Sequence, residues 1–405
     1  MVRINLRYAG LADARVSTDP LLKPHGKGFP KEEISIGAGD AGDWGFKNER
    51  LWGYLSRIAL DPKYSVYPSR YRQGLLEAIT HFEKKYRKSD YLPEHVILGA
   101  GVAGCFSSLH DALFEPGDEV VTITPSYYYW FPLDHAPYLG VRKVGSQALE
   151  KEDWRPDIDD LRKRITKKTK AVALTTPVNP TGKVYGEKEL KEMINLAGEF
   201  NLPLICDEIE GILTYDGVES IATSRLANDV PCITVSSVSK VFGSPGWALG
   251  YMCFHDPRGR VAEIERTVKA LAYSYGHSGH TLATPIMVAA TKGLDEGWWI
   301  PDMVEKVQKQ REFACKRLNG IEGVSCTKSR GTLWLFPKLD AIGKTWKTTE
   351  DFVVALWEEE GVGVQSGNSF GPGGFGHFRV TNLPPTETLG EAYDRLEHFL
   401  AKNVG

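Results

Sequence analysis

Between Glu94 and Phe254 the chain alternates short β-branched runs with stretches of helical period. The runs are "HVIL", "EVVTIT", "AVALTT", "LPLICDE", "CITVSS" and "ALGYMCF", and patterns such as "GEKELKEMINLAGEF" lie between several of them. Strands buried on both faces read as unbroken apolar runs, and a helix between two of them returns the chain so that they pair in parallel. The alternation predicts an α/β fold, in which a large domain carries a mostly parallel sheet flanked by helices. After about Gly293 the texture changes. An amphipathic helix "PDMVEKVQKQREFACKRL" is followed by a strand candidate "GTLWLFPKL", a helix "TEDFVVALWEEE", the short "HFRVTNL" and a last helix "TETLGEAYDRLEHFL". This predicts a smaller α+β domain. The expected division is an N-terminal arm over 1–30, rich in proline and glycine without periodicity, then 31–54 as the first part of the small domain. Residues 55–293 form the large domain and 294–405 the rest of the small one.

The 405 residues suffice for two lobes. With 49 basic residues against 52 acidic ones, bulk charge offers nothing to nucleic acid or to an acidic membrane, and a small polar or zwitterionic substrate suits the chain better. The opening "MVRINLRYAG" lacks the apolar core of a secretory signal, and no run is long enough to span a bilayer. The expectation is a cytoplasmic protein. The six cysteines form no CxxC pair and sit mostly in apolar segments, as buried thiols do.

In an open parallel sheet, ligands collect at the carboxyl ends of the strands. "HVIL" delivers "GAGVAG" there, "EVVTIT" delivers "PSYYYW", "AVALTT" delivers "NPTG", "LPLICDE" delivers Asp207, and "CITVSS" delivers Lys240 ahead of the turn "VFGSPGWALGY". A lysine at a strand end is most often a solvated charge. One placed beside a glycine-rich turn is also the amine that a carbonyl cofactor needs, held at the bottom of a site yet mobile. Asp207 ends so apolar a run that its carboxylate must be buried, which demands a cationic partner, an internal salt bridge or a helix to cap. "GAGVAG" matches the dinucleotide fingerprint letter for letter, but that reading expects an acid about 20 residues on, at the far end of the next strand. The chain has Thr124 there, and Asp118 and Glu119 precede the strand. What survives is the affinity of a helix N-terminus for phosphate, with Ala100, Gly101 and Val102 as donors and Ser237 adding a hydroxyl.

Taken in order, these motifs resemble the class I/II aminotransferases among the fold-type I pyridoxal-phosphate enzymes, and the resemblance runs from "ISIGAGDAGDW" to "HFRVTNLPP". It implies pyridoxal 5'-phosphate as cofactor, an α-amino acid and a 2-oxo acid as substrates, and a homodimer with shared active sites. Lys240 and Asp207 are then catalytic, the first as cofactor anchor and proton carrier, the second as partner of the pyridinium nitrogen. Asn179 binds the ring's phenolic oxygen, although an ordinary Asn-Pro turn reads the same way. Tyr127 stacks on the ring, while Tyr128, Tyr129 and Trp130 read as core or rim. Arg379 clamps the substrate carboxylate, a task for a planar fork, against the alternative of a solvated charge. Gly39 lets backbone approach the substrate, and Trp44 either roofs the pocket or belongs to the core. From "YPSRYRQGL" both Tyr67 and Tyr71 qualify to reach the partner's phosphate, with Tyr67 favoured.

Three departures bear on the chemistry. Where the family has Gly-Trp-Arg-x-Gly, this chain has Ala248 in place of the phosphate-binding arginine, leaving Arg70 or water to compensate. Three residues after Asp207, the family's tyrosine is replaced by Glu210. The stretch "KALAYSYGHSGHTLATP" carries Lys269, His277 and His280 but no arginine, which speaks against a dicarboxylic substrate. The first two leave open a pyridoxal-phosphate lyase, cyclase or oxidase beside the aminotransferase. A non-catalytic binding protein and a nicotinamide oxidoreductase are the rivals from other classes.

Overall fold

The computed structural model describes residues 33–39, 41–46, 48–127, 140–274 and 282–404. Seven strands form its main sheet: β1 Val96–Ala100, β2 Glu119–Thr124, β3 Arg142–Gln147, β4 Thr169–Thr175, β5 Leu204–Asp207, β6 Cys232–Ser237 and β7 Leu249–His255. Their order is β1-β7-β6-β5-β4-β2-β3. All neighbours are parallel except β7, which runs against both β1 and β6.

The apolar runs alternate between two covered faces, as the period of a strand requires. Val120, Ala171, Ala173 and Ile205 pack on one side with Phe106, Leu109 and Val268. Their sequence neighbours Val121, Val172, Leu174, Leu204 and Cys206 pack on the other with Leu190, Met193 and Leu196. Each such buried aliphatic side chain contributes about 1.5–3 kcal/mol by leaving water. The covering helices are those the pattern anticipates, among them Glu187–Glu199. The edge strand β3 is a difference from the sequence reading, which assigned no run there. Its residues "RKVGSQ" are mostly half-exposed or exposed, so it carries little apolar signal, and its pairing with β2 makes it a strand.

A second core lies outside this sheet. It joins Ile34 and Ile36 to Leu318, Leu335, Phe352, Leu356, Val362, Phe378, Val380, Leu396 and Phe399. Its long helices span Ile300–Leu318, Thr349–Glu360 and Thr386–Val404, close to the three periodic stretches of the sequence. The middle one opens on a capping box between Thr348 and Asp351 and stops at Gly361, whose φ of 69° suits glycine. The candidate strand "GTLWLFPKL" divides into Trp334–Leu335, paired with Phe378–Thr381, and Lys338–Leu339, paired with Val324–Ser325. Ile34–Ser35 pairs with Val362–Gly363, tying the segment before the large sheet to this core. All six cysteines are buried and free. Among the described residues, no helix is long and apolar enough to cross a membrane.

Candidate active site

At the carboxyl end of β1 the chain turns directly into the helix Gly101–Leu113, whose N-terminus is capped by no side chain. Gly101 has φ +65°, and a Cβ on Gly250 would strike the Gly101 backbone. Gly250 pairs with Gly99 on one side and Ser237 on the other, which places fully buried Ser237 beside this glycine cradle. The Ser237 hydroxyl accepts a hydrogen bond from Ser239 N at 3.1 Å. The cradle's far wall is Ala248, whose carbonyl accepts from Gly101 N at 2.6 Å and whose φ is +45°. Ala100, Gly101, Val102 and Ser237 therefore lie around Gly250, with the Ala248 backbone against Gly101.

Asp207 closes β5, only 2 % exposed, flanked by Thr175 of β4 and Val235 of β6. Its Oδ1 accepts from Ile209 N at 3.1 Å, an Asx turn that fixes the carboxylate's orientation. The next residue, Glu208, is engaged elsewhere. Glu208 meets the Arg87 guanidinium at 2.6 Å, both side chains buried, and also accepts from the Thr223 amide and hydroxyl. Arg87 donates further to the Gly211 carbonyl at 2.6 Å and to the Ser220 hydroxyl, so the turn after Asp207 is anchored to the helical segment 83–87.

Lys240 stands in the short helix Val238–Val241, immediately past β6 and half-buried. Its Nζ lies 5.7 Å from the centroid of the Trp334 ring. A Cβ on Gly39 would sit 3.3 Å from that amine and 2.5 Å from the indole, so glycine is what allows the 37–39 segment to pass here.

Arg379, 5 % exposed, is held from two directions. Its Nη1 donates to Asn179 Oδ1 at 3.1 Å and its Nη2 to the Gly37 carbonyl at 2.7 Å. The Asn179 carbonyl accepts from Tyr127 N at 2.7 Å, bringing the ends of β2 and β4 to the same place. Tyr127 itself is partly buried between the two faces of the sheet core.

Two residues of this region stand apart from the sequence motifs, in different ways. Glu210, singled out only as a departure, is 2 % exposed, and both of its oxygens are engaged: Trp334 Nε1 donates to one at 3.0 Å and Leu333 N to the other at 3.1 Å. Burial pushes its carboxyl above the usual glutamate range, against the pull of Lys240, the Trp334 indole, the Leu333 amide and Arg379. Trp334 belonged only to a strand candidate, with nothing in its neighbourhood to mark it. Trp44 packs with Leu213, Tyr215 and Trp334, on the core side of its two readings.

Tyr67 and Tyr71 part company. The Tyr71 hydroxyl donates to the Lys63 carbonyl at 3.3 Å and its ring lies 5.4 Å from that of Tyr64, whereas Tyr67 is 78 % exposed. Tyr128, Tyr129, Trp130, His277, His280 and the 1–30 arm fall outside the described residues.

The donor set fits a phosphorylated pyridine aldehyde. An uncapped helix N-terminus with a buried serine hydroxyl suits a phosphate, a buried oriented carboxylate suits a protonated ring nitrogen, and a lysine amine stands close to Gly39.

The family model for aminotransferase class I and II matches residues 45–396. An alanine aminotransferase of Mycobacterium tuberculosis is 31% identical over 335 residues, covering 81% of this chain and 77% of that protein. An aspartate aminotransferase of Pyrococcus abyssi is 30% identical, covering 91% and 92%. Among solved structures, an alanine aminotransferase from Pyrococcus furiosus superposes with a TM-score of 0.84 at 33% identity, covering 99% of this chain and all of that one. The chain belongs to the class I and II aminotransferases, enzymes that use pyridoxal 5'-phosphate to move an amino group between an α-amino acid and a 2-oxo acid.

Proposed function

We propose that this aminotransferase takes small uncharged α-amino acids of the alanine type as donors, with Lys240, Asp207, Asn179, Tyr127, Ser237 and Arg379 as its working residues. Support for the donor class comes from the similarity to proteins named alanine aminotransferases and from the crowding of Gly39, Trp334 and Lys240 around the gap. Ala100, Gly101, Val102 and Ser237 hold the phosphate, and the exposed Tyr67 contributes to the phosphate site of a second copy. The exposed apolar segment, with Leu60 at 81 % and Tyr67 at 78 %, supports a homodimer. We place the enzyme in the cytoplasm and keep 31–54 with 294–405 as its small domain, on the strength of the strand pair Ile34–Ser35 with Val362–Gly363.

The cofactor, when bound, supplies an aldehyde for the amino group and a ring that accepts the electron pair left at the α-carbon. Asp207 favours the positively charged ring nitrogen that such electron acceptance requires, because its carboxylate is buried and held by Ile209 N. Arg379 binds the substrate α-carboxylate through two parallel hydrogen bonds and so fixes which bond of the α-carbon is presented. Lys240, whose Nζ stands at the site, would take the proton from the substrate α-carbon as general base and release it again as general acid in completing the transfer. Tyr127 supports the ring face, and Asn179 orients both the ring oxygen and the Arg379 fork.

The observation that carries the reading is the convergence of the Lys240 amine and the Arg379 guanidinium on one indole, with Asn179 bonded to that guanidinium. The test has two arms. Purified protein has a visible absorption band that Lys240→Ala changes, and alanine alone yields at most one equivalent of pyruvate per active site, with further turnover only when 2-oxoglutarate is added. Product formation that ignores the oxo acid would falsify amino transfer in favour of a lyase or oxidase.

A further inference from the structure

Glu210 and Trp334 have no part in the roles assigned above. They are 124 positions apart, one in the turn after β5 and the other at the start of the small domain's sheet, yet the indole N–H donates to the carboxylate at 3.0 Å. The second oxygen accepts from Leu333 N, so the acid grips one dipeptide with both hands. The first turn is closed by Leu213 N to the Glu210 carbonyl at 2.8 Å, and the two are joined further by Thr332 N to the Leu213 carbonyl at 2.9 Å and the Tyr215 hydroxyl to the Thr332 carbonyl at 2.6 Å. Thr332 is fully buried with φ +72°, a region β-branched residues avoid and occupy only where the surroundings impose it.

On the opposite side of this joint stands the arginine. The Arg379 guanidinium carbon is 3.5 Å from the Trp334 ring centroid, the separation of a planar cation stacked on an indole. Asn179 and Gly37 hold the two ends of the fork, and two rings beside the guanidinium bear on its tilt, the Trp334 indole at 3.5 Å being nearer than the Phe370 ring at 5.0 Å. A flat surface beneath the fork removes that tilt, provided the surface itself cannot turn. Packing confines the buried Trp334 ring, and the bond to Glu210 fixes the position of its edge within that packing.

We propose that Glu210 and Trp334 are positioning residues of the carboxylate site: Glu210 fixes the edge of the indole, and the indole so held sets the plane of the Arg379 guanidinium. The inference rests on reading Arg379 as the α-carboxylate clamp. A tilted fork makes one good hydrogen bond to a carboxylate instead of two, and this loss falls on bound substrate and transition state alike. It therefore appears in KM more than in kcat.

The experiment uses the holoenzyme and four variants: Glu210→Gln, Trp334→Phe, both together, and Arg379→Lys. Gln offers one acceptor where Glu has two, and Phe retains the plate without its N–H, so Trp334→Phe reports on the bond even if Glu210→Gln were to unfold the chain. Each single variant is expected to raise KM for alanine and the inhibition constant of acetate, a carboxylate without an amino group, about tenfold, with kcat changed less than about threefold. The double variant is expected to match Trp334→Phe, because without the indole N–H residue 210 has no ring edge to fasten. Arg379→Lys raising KM while Trp334→Phe leaves KM and acetate binding unchanged overturns the relay and spares the clamp. Arg379→Lys leaving both unchanged overturns the clamp, and the relay with it. Equal falls in kcat with KM constant also overturn the relay, since they signal a role in the chemistry instead of in holding the carboxylate.

Discussion

At Gly39 the chain has room for a hydrogen and nothing more. An added Cβ would press on the Trp334 indole at 2.5 Å and approach Lys240 Nζ to 3.3 Å, and the indole cannot swing away while Glu210 holds its edge. Gly39→Ala is therefore expected to lower kcat/KM for alanine about 100-fold, the scale of a misplacement near 1 Å, while the visible absorption of the bound cofactor persists. A variant with parental kcat/KM would show that the segment moves freely. Single residues were the most legible level of this sequence where they ended a strand. Lys240, Asp207 and Asn179 each follow an apolar run, and run ends are where an open sheet presents its chemistry. Glu210 bonded to Trp334 was illegible, because the pairing depends on how two cores meet across 124 intervening positions and no local pattern encodes it.

Among the elements, the turn feeding β7 is the one whose change is simplest to read. The Ala248 carbonyl accepts from Gly101 N at the helix end proposed to hold the phosphate, and charged hydrogen bonds to a phosphate contribute about 1.5–3 kcal/mol each. Ala248→Arg is expected to tighten cofactor binding at least about tenfold, measured as the dissociation constant on reconstitution of apoenzyme. No gain in affinity would mean that the phosphate lies elsewhere. The helix Ile300–Leu318 offers a second case. Its fully buried Arg311 makes a two-pronged contact with Asp216, both at 3.0 Å, and that guanidinium's hydrogen bonds, followed by those of Lys328, hold the Asp216 carboxyl below the usual aspartate range. A depressed carboxyl pKa contributes stability that is complete above the unfolded value, about 4, and is lost as pH falls below it. Thermal unfolding of Asp216→Asn is expected to change less than the parent between about pH 5 and pH 2. Equal acid limbs would place the sensitivity in other carboxylates. Elements were readable from sequence in proportion to their burial. The long amphipathic helices emerged nearly whole, while β3 was missed because an edge strand's half-exposed residues alternate too weakly to announce it.

For the whole molecule, the proposed homodimer is tested where Leu60 and Tyr67 stand exposed. Leu60→Asp is expected to shift the species seen by sedimentation from dimer to monomer, with specific activity falling on dilution because Tyr67 no longer completes a neighbouring site. A monomeric variant with full activity would show that each chain is self-sufficient. The two-core arrangement was visible in the change of texture near Gly293, but the return of Ile34–Ser35 to the second core had no signal beyond a short apolar stretch. One further consequence follows from β7 running against its neighbours. A reversed strand begins where the others finish, so the bend that opens it sits on the same rim as their tips. With the phosphate at its proposed place, editing that bend alone would retune how firmly the chain keeps its vitamin, with the seven-stranded scaffold left untouched.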